Sequence, residues 1–198
     1  MLQVQGLKQT VAPTVEPVSL ADAKLYGRID TDADDATINT MIRAARMQAE
    51  EFTRRAFVNQ TWALYLASFP FEIIVPKPPY FSTTSIQYVD TNGDTQTLAS
   101  TVYQADEKSE PGRIREAYQQ SWPATRVGVY NAVTLTYVAG YGTAEADVPE
   151  GIREAIMRAV QTSYEFREDL VTGTIVAKLP KTAKDMLAPY RVEVYYDR

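Results

Sequence analysis

The stretch DDATINTMIRAARMQAEEFTRRAF, residues 34–57, is the most regular segment of a 198-residue chain. Ile38, Met41, Ile42, Ala45, Ala49 and Phe52 recur at spacings of three and four, which is one apolar stripe on a 3.6-residue period. Asn39, Arg43, Arg46, Glu50 and Arg54 fall on the opposite face. Acid lies at the start (Asp34, Asp35) and base at the end (Arg54, Arg55), the polarity that the helix dipole favours. The spacing predicts a helix from about Asp34 to Ala56, and the rest of the chain is read outward from it.

Immediately upstream, RIDTDADD (28–35) puts Asp30, Asp32 and Asp34 at alternate positions, as a calcium loop begins. A calcium loop starting at Asp30 needs glycine at its sixth position and a bidentate glutamate at its twelfth. Asp35 and Met41 stand there instead. The run is therefore read as the turn between two helices, with aspartates at a helix start, and no metal is expected. Before it, Ser19 opens a short helix by accepting from the Asp22 amide, with Asp22 placed to reach back and Gly27 as the stop. Residues 1–18, with Pro13 and Pro17, read as an extended arm.

After the long helix the period changes to two. QTWALYL (60–66) sets Trp62, Leu64 and Leu66 on one face, EIIV (72–75) is a second short strand, and PKPPY (76–80) is a proline-stiffened connector. SIQYVDTNGDTQTL (85–98) reads as a hairpin, with Asn92-Gly93 supplying the positive φ angles of a tight turn. Short strands are expected near 102–105 and 113–116. AVTLTYVAGYG (132–142) is a strand with Val133, Leu135 and Tyr137 on one face. Helix then returns: Pro149 lies in a first turn with Asp147 as candidate cap, and Ile152, Ala155, Ile156, Ala159, Val160 and Ser163 form a stripe to about Arg167. Residues 169–179 read as a loop, 181–188 as a short helix ending before Pro189, and PYRVEVYYDR as an extended end. Strands bunched between helices point to an α+β fold. It is a small bundle of about four helices, residues 19–57 and 145–188, with a β-rich insertion at 58–144 and an extended tail at 189–198.

Composition narrows the chemistry. The formal net charge is −5, the reverse of the basic excess that dedicated nucleic-acid binders carry. There is no cysteine and no histidine, which removes disulfides, thiolate metal sites, and every catalytic arrangement built on an imidazole. No leader peptide is read at the N-terminus, no run reaches the roughly 18 apolar residues of a membrane span, and no cofactor is expected. AGYGTA (139–144) lacks the third glycine of a dinucleotide fingerprint, Glu145 standing at that position, and reads as a strand-to-helix turn. One arrangement remains for an enzyme or ligand-binding module: the carboxylates of Glu110 and Glu116 near Arg113 and Arg115 in the β-rich middle.

Several segments in order resemble a known family. PVSLADAKLYGRID (17–30), followed by the long helix ending in Thr53-Arg54-Arg55-Ala56, is similar to the N-terminal helical half of head–tail connector (adaptor) proteins of tailed bacteriophages and gene transfer agents. QTWALYL, PKPPYFSTTSIQYVDTNGDTQTL, VAGYG, VPEGIREAI and LAPYRV follow that family's order of segments. The resemblance implies a structural protein of the virion neck, assembled in the bacterial host cytoplasm. Such proteins form a homo-oligomeric ring, generally dodecameric, under the portal protein. They extend the DNA channel without sequence-specific binding and dock a stopper or tail-completion protein. It also implies a C-terminal segment that reaches toward the portal. On this reading Leu187, Pro189, Tyr190, Arg191, Val192 and Tyr195 are candidate portal contacts, the alternative being that PYRVEV closes the chain's own sheet as an edge strand. Arg43 and Arg46, on the polar face of the long helix, are candidates for subunit pairing. Whether Asp30, Asp32 and Asp34 face solvent or a neighbour's arginines is left open by the sequence.

Overall fold

The computed structural model describes residues 4–166 and 179–193. The fold is α+β, with four α-helices and two antiparallel sheets among the described residues. The chain divides into two compact units, one holding all the strands (4–13 and 59–141) and one holding all the helices (14–58 and 142–192).

In the helical unit, α1 (Leu20–Gly27) begins as expected: the Ser19 hydroxyl accepts from the Asp22 amide at 3.1 Å. Asp22 does not reach back to it. Its carboxylate lies 3.5 Å from the Arg153 guanidinium. Helix α2 (Asp35–Thr53) stops three residues before the expected end, because Arg54 turns left-handed at φ 60°. Its buried face is Ile38, Ile42, Ala45, Arg46, Ala49, Glu50 and Thr53. The apolar stripe is thus correct at its centre, but Met41 and Phe52 are only half-buried and two charged residues expected outside are inside. They can be buried because they pair with each other.

Helix α3 (Glu150–Glu165) buries Ile152, Ala155, Ile156, Ala159 and Val160 against α1, α2 and α4 (Lys181–Leu187). Pro149 is the residue before α3 rather than a first-turn residue. Asp147 does not cap this helix: its carboxylate accepts from the Ala144 amide at 2.9 Å in the preceding single turn of 3-10 helix. A further 3-10 turn, Ala188–Tyr190, carries the chain past Pro189 without a break. Most of the loop read at 169–179 lies outside the described residues.

In the strand unit, residues 4–11 of the expected arm form β1 (Val4–Val11), the edge strand of a five-stranded sheet. One side of its backbone pairs with β2 (Gln60–Leu66), with Leu7 opposite Leu64. β2 pairs with β8 (Val133–Ala139), β8 with β4 (Tyr80–Val89), and β4 with β5 (Thr95–Thr97). The register stacks Leu64 and Ile86 on either side of Leu135, and Val133, Leu135, Tyr137 and Ala139 are all buried. This alternation in β8 is the one read from the sequence. The Tyr137 hydroxyl is not stranded in that core: it donates to the Pro76 carbonyl at 2.9 Å. On β2, Leu64 and Leu66 are buried, whereas Trp62 is half-buried under the Lys77 ammonium, 5.6 Å from its ring centre.

The β4–β5 turn differs from the sequence reading in one respect. Gly93 alone has positive φ (100°), and Asn92 does not share it. The turn is organised by Asp90, whose carboxylate accepts from the amides of Asn92, Gly93 and Asp94 and from the Gln96 side chain. The Gln96 bond first, then the Asp94 amide, holds the Asp90 carboxyl below its ordinary value.

A second sheet has the order β3 (Ile73–Ile74), β7 (Arg113–Glu116), β6 (Tyr103–Asp106), with Ile73 opposite a fully buried Ile114. Gly112 enters it under the Tyr80 side chain. A Cβ at Gly112 would stand 2.5 Å from the Tyr80 Cβ, an atom fixed by its own backbone. Gly112→Ala is therefore expected to destabilise the protein by about 1–3 kcal/mol, the usual cost of overpacking, read as a lower urea midpoint at unchanged slope.

Candidate assembly surfaces

The acidic run is closed by a side chain of its own unit. The Lys24 ammonium lies 2.5 Å from Asp32 and 2.8 Å from Asp35. Those two bonds hold Lys24 above its ordinary pKa, and the Lys24 bond holds Asp32 below its own. The Asp34 carboxylate accepts from the Tyr164 hydroxyl at 2.7 Å. The positive charge that this cluster gathers is an ammonium on α1. Asp32 and Asp34 thus have internal partners, and Asp30 is exposed.

Arg46 does not lie on an outward polar face. Only 7% exposed, it donates through Nε to Glu16 at 2.7 Å and through Nη1 to Glu50 at 2.8 Å. The other Glu50 oxygen accepts from the Phe57 amide at 2.9 Å. This network ties the segment before α1, the middle of α2 and the chain leaving α2 within one unit. Arg46 is buried by its own chain and is not available to a neighbour. Arg43, three residues earlier, is exposed and donates to the Thr40 hydroxyl at 3.1 Å.

The C-terminal candidates separate in the same way. Leu187 is fully buried at the end of α4, and Val192 is buried with its amide donating to the Thr53 carbonyl at 3.0 Å. The Tyr190 carbonyl accepts from Arg55 Nε at 2.5 Å. Arg191 is exposed and sets its guanidinium 5.7 Å from the Phe52 ring centre. Pro189 is exposed, Tyr190 is half-buried, and Tyr195 lies outside the described residues. Residues 187–192 therefore fold against the helices, not as an edge strand of the sheet. Of the six candidates, Pro189, Arg191 and part of Tyr190 present surface.

The residues of the enzyme reading are not brought together. A cleft of about 350 Å³ on the small sheet is lined by Arg113 and Arg115 with Glu72, Gln104, Ala105 and Asp106. Glu110 and Glu116 are not among its walls. The Glu116 carboxylate accepts from the Trp122 amide at 2.8 Å, and Asp106 spends its oxygens on the amides of Lys108 and Ser109 and the Ser109 hydroxyl. Arg113 lies 3.5 Å from Glu72 across the sheet. One of its two arginines already faces a carboxylate, and the Asp106 carboxylate is taken up by backbone amides and a hydroxyl.

What the sequence reading missed is apolar side chains left in solvent. On the helical unit these include Leu25, Tyr26 and Met47; on the strand unit they include Phe71, Tyr118, Val127 and Tyr130, the last three in or beside the irregular stretch before β8. Single exposed apolar residues are ordinary, but Leu25 and Tyr26 share one groove with Met157. The available signal was that LADAKLYG offers more apolar residues than an eight-residue helix with one buried position absorbs. No helix among the described residues is long and apolar enough to cross a membrane.

Residues 17–84, about a third of the chain, match the model of the phage gp6-like head-tail connector protein family. No curated protein matches the sequence. Among solved structures, a chain from the neck of an empty gene transfer agent particle, computed with C6 symmetry, superposes with a TM-score of 0.78 at 21% identity, covering 98% of this chain and 100% of that one. A chain from the virion of a native gene transfer agent particle gives 0.75 at 21% identity over 95% and 96%. A chain from the neck of the native particle, computed with C12 symmetry, gives 0.73 at 21% identity over 98% and 100%. The protein thus resembles the phage gp6-like head-tail connector family in sequence over residues 17–84, and chains of gene transfer agent particles in fold over nearly its whole length.

Proposed function

We propose that the protein is a head–tail connector (adaptor) of a phage or phage-like particle. Copies of the chain form a ring under the portal protein, extend the DNA channel, and offer a docking surface to a stopper or tail-completion protein. The observation that carries this reading is end-to-end fold likeness to a chain of a gene transfer agent neck, with neither chain left substantially uncovered. The match of residues 17–84 to the connector family, obtained from sequence alone, supports it independently.

Related necks computed with sixfold and twelvefold symmetry support a homo-oligomeric ring, with twelve copies as the expectation for this chain. Such a ring belongs to the virion and is assembled in the host cytoplasm. A net charge of −5 suits a conduit, since affinity for phosphate comes mainly from cations that would retard passing DNA. The role is structural, not enzymatic: of the two carboxylates that the enzyme reading named, neither lines the cleft that holds Arg113 and Arg115, and Glu116 accepts from the Trp122 amide.

The test is direct. Purified protein mixed with portal rings of the same particle should add a ring of density on the portal's tail-facing side in electron micrographs. Portals that remain bare at saturating protein would overturn the reading.

A further inference from the structure

A ring needs two different patches on each subunit, and the helical unit carries a pair that fit each other. The first is the groove between α1 and α3, about 490 Å³, walled by Leu25, Tyr26 and Met157 and edged by the carboxylates of Asp22, Glu150 and Glu154. Its single arginine, Arg153, is already held by Asp22 at 3.5 Å and by the Pro17 carbonyl at 3.2 Å. Leu25 is 79% exposed at the groove's lip. An occupant must bring cations to the edge and an apolar side chain to the floor.

The second patch is the outward stripe of α2. Thr40, Arg43, Ala44, Met47, Glu51 and Arg54 are all exposed and recur at helical spacing. Met47, 62% exposed, sits one turn from Arg43. That separation of charge and apolar tip, roughly 5–6 Å for residues four apart on a helix, also separates Glu150 from Glu154, with Met157 three residues further on. The opposite face of α2 packs on α3, so the Met47 stripe points away from the groove and one chain does not close the contact on itself. Complementary patches on different faces of one subunit give head-to-tail association, which closes into a ring when the rotation allows.

We infer that, in the ring proposed above and resting on that reading, the Arg43–Met47 stripe of one copy seats in the α1–α3 groove of the next. Met47 enters between Leu25 and Met157, while Arg43 meets Glu150 and Glu154. The exchange of partners is cheap. Arg43 gives up an exposed bond to Thr40, and Glu154 shares or releases a solvent-exposed pair with Arg158, which water and salt already weaken. The committed occupant is a second copy because the same unit supplies a stripe of matching sign and spacing.

The chain has no cysteine, so single introduced thiols report proximity without background. Met47→Cys protein and Leu25→Cys protein are mixed, assembled on portal rings, and oxidised. Covalent dimers are expected in the mixture and not with either variant alone. In parallel, Arg43→Glu should reduce ring occupancy on portals, Glu150→Arg with Glu154→Arg should reduce it too, and equal mixing or combination of both sets should restore it. All these positions are on the surface, and circular dichroism of each variant should match the parent. If rings form on portals but no mixed disulfide appears and charge reversal changes nothing, the interface is elsewhere and the connector reading stands. If the unaltered protein leaves portals bare, the connector reading itself fails, and this interface with it.

Discussion

Replacing Glu50 with alanine is expected to cost about 3–5 kcal/mol, the usual penalty for breaking a buried ion pair from one side. The size follows from what the carboxylate does. One oxygen accepts from Arg46 Nη1 at 2.8 Å and the other from the Phe57 amide at 2.9 Å, at a site where the Arg46 and Glu50 side chains are 8% and 10% exposed. Alanine leaves a buried guanidinium with Glu16 as its remaining carboxylate in this network, and takes the acceptor from an amide immediately beyond the helix end. For a chain of this length the melting temperature should fall by roughly 10 °C.

Glu50→Gln separates the two losses. It keeps an acceptor for Phe57 while removing the charge, and its cost should be the smaller, about 1.5–3 kcal/mol for a hydrogen bond to a charged partner. If both variants melt with the parent, the network contributes nothing to stability. The pair also bears on assembly. Because Arg46 is turned inward, these variants should lower portal docking only as far as they lower the folded fraction, whereas Arg43→Glu should lower docking without unfolding.

That contrast between Arg43 and Arg46 marks how far periodicity reaches. The period of α2 located the helix and most of its core, since Ile38, Ile42, Ala45 and Ala49 are fully or nearly buried. It could not locate Arg46 and Glu50, because a stripe is computed as if charge always faces water. The two are inside because they bond each other and because Glu16, thirty residues upstream of Arg46, folds back to complete the network. In β8 strict alternation predicted the buried face, Val133, Leu135 and Tyr137, correctly, because the strand is paired on both edges along its length and only its side chains distinguish its two faces.

β1 was not foreseen as a strand, for the opposite reason. VQGLKQTV has exposed residues at nearly every position, so its place in the sheet comes from backbone pairing with β2, which leaves no hydrophobic pattern to read. The candidate surfaces were legible only in part. The resemblance to connector proteins singles out the C-terminal run, but whether a residue in it faces outward depends on where α4 and the following 3-10 turn place it.

Leu187 and Arg191 turn that dependence into a test. Leu187 is fully buried where α4 packs on α2 and α3, so Leu187→Ala should cost about 2–5 kcal/mol through lost transfer energy and the cavity left behind. Its effect on portal docking should follow the melting curve and vanish at temperatures where the variant is folded. Arg191 is exposed, four residues on, with its guanidinium 5.7 Å from the Phe52 ring centre. At an exposed site such a contact is worth about 0.5–1 kcal/mol, so Arg191→Ala should scarcely move the melting temperature. If the end of the chain is a portal contact, this same variant should weaken docking at a temperature where it is fully folded. Truncation after Glu193 should do likewise, since it spares the bond from the Val192 amide to Thr53. Docking unaltered in both would leave residues 187–192 the single task of closing the helical unit against α2, and would exclude the end of the chain as the portal contact of the proposed connector.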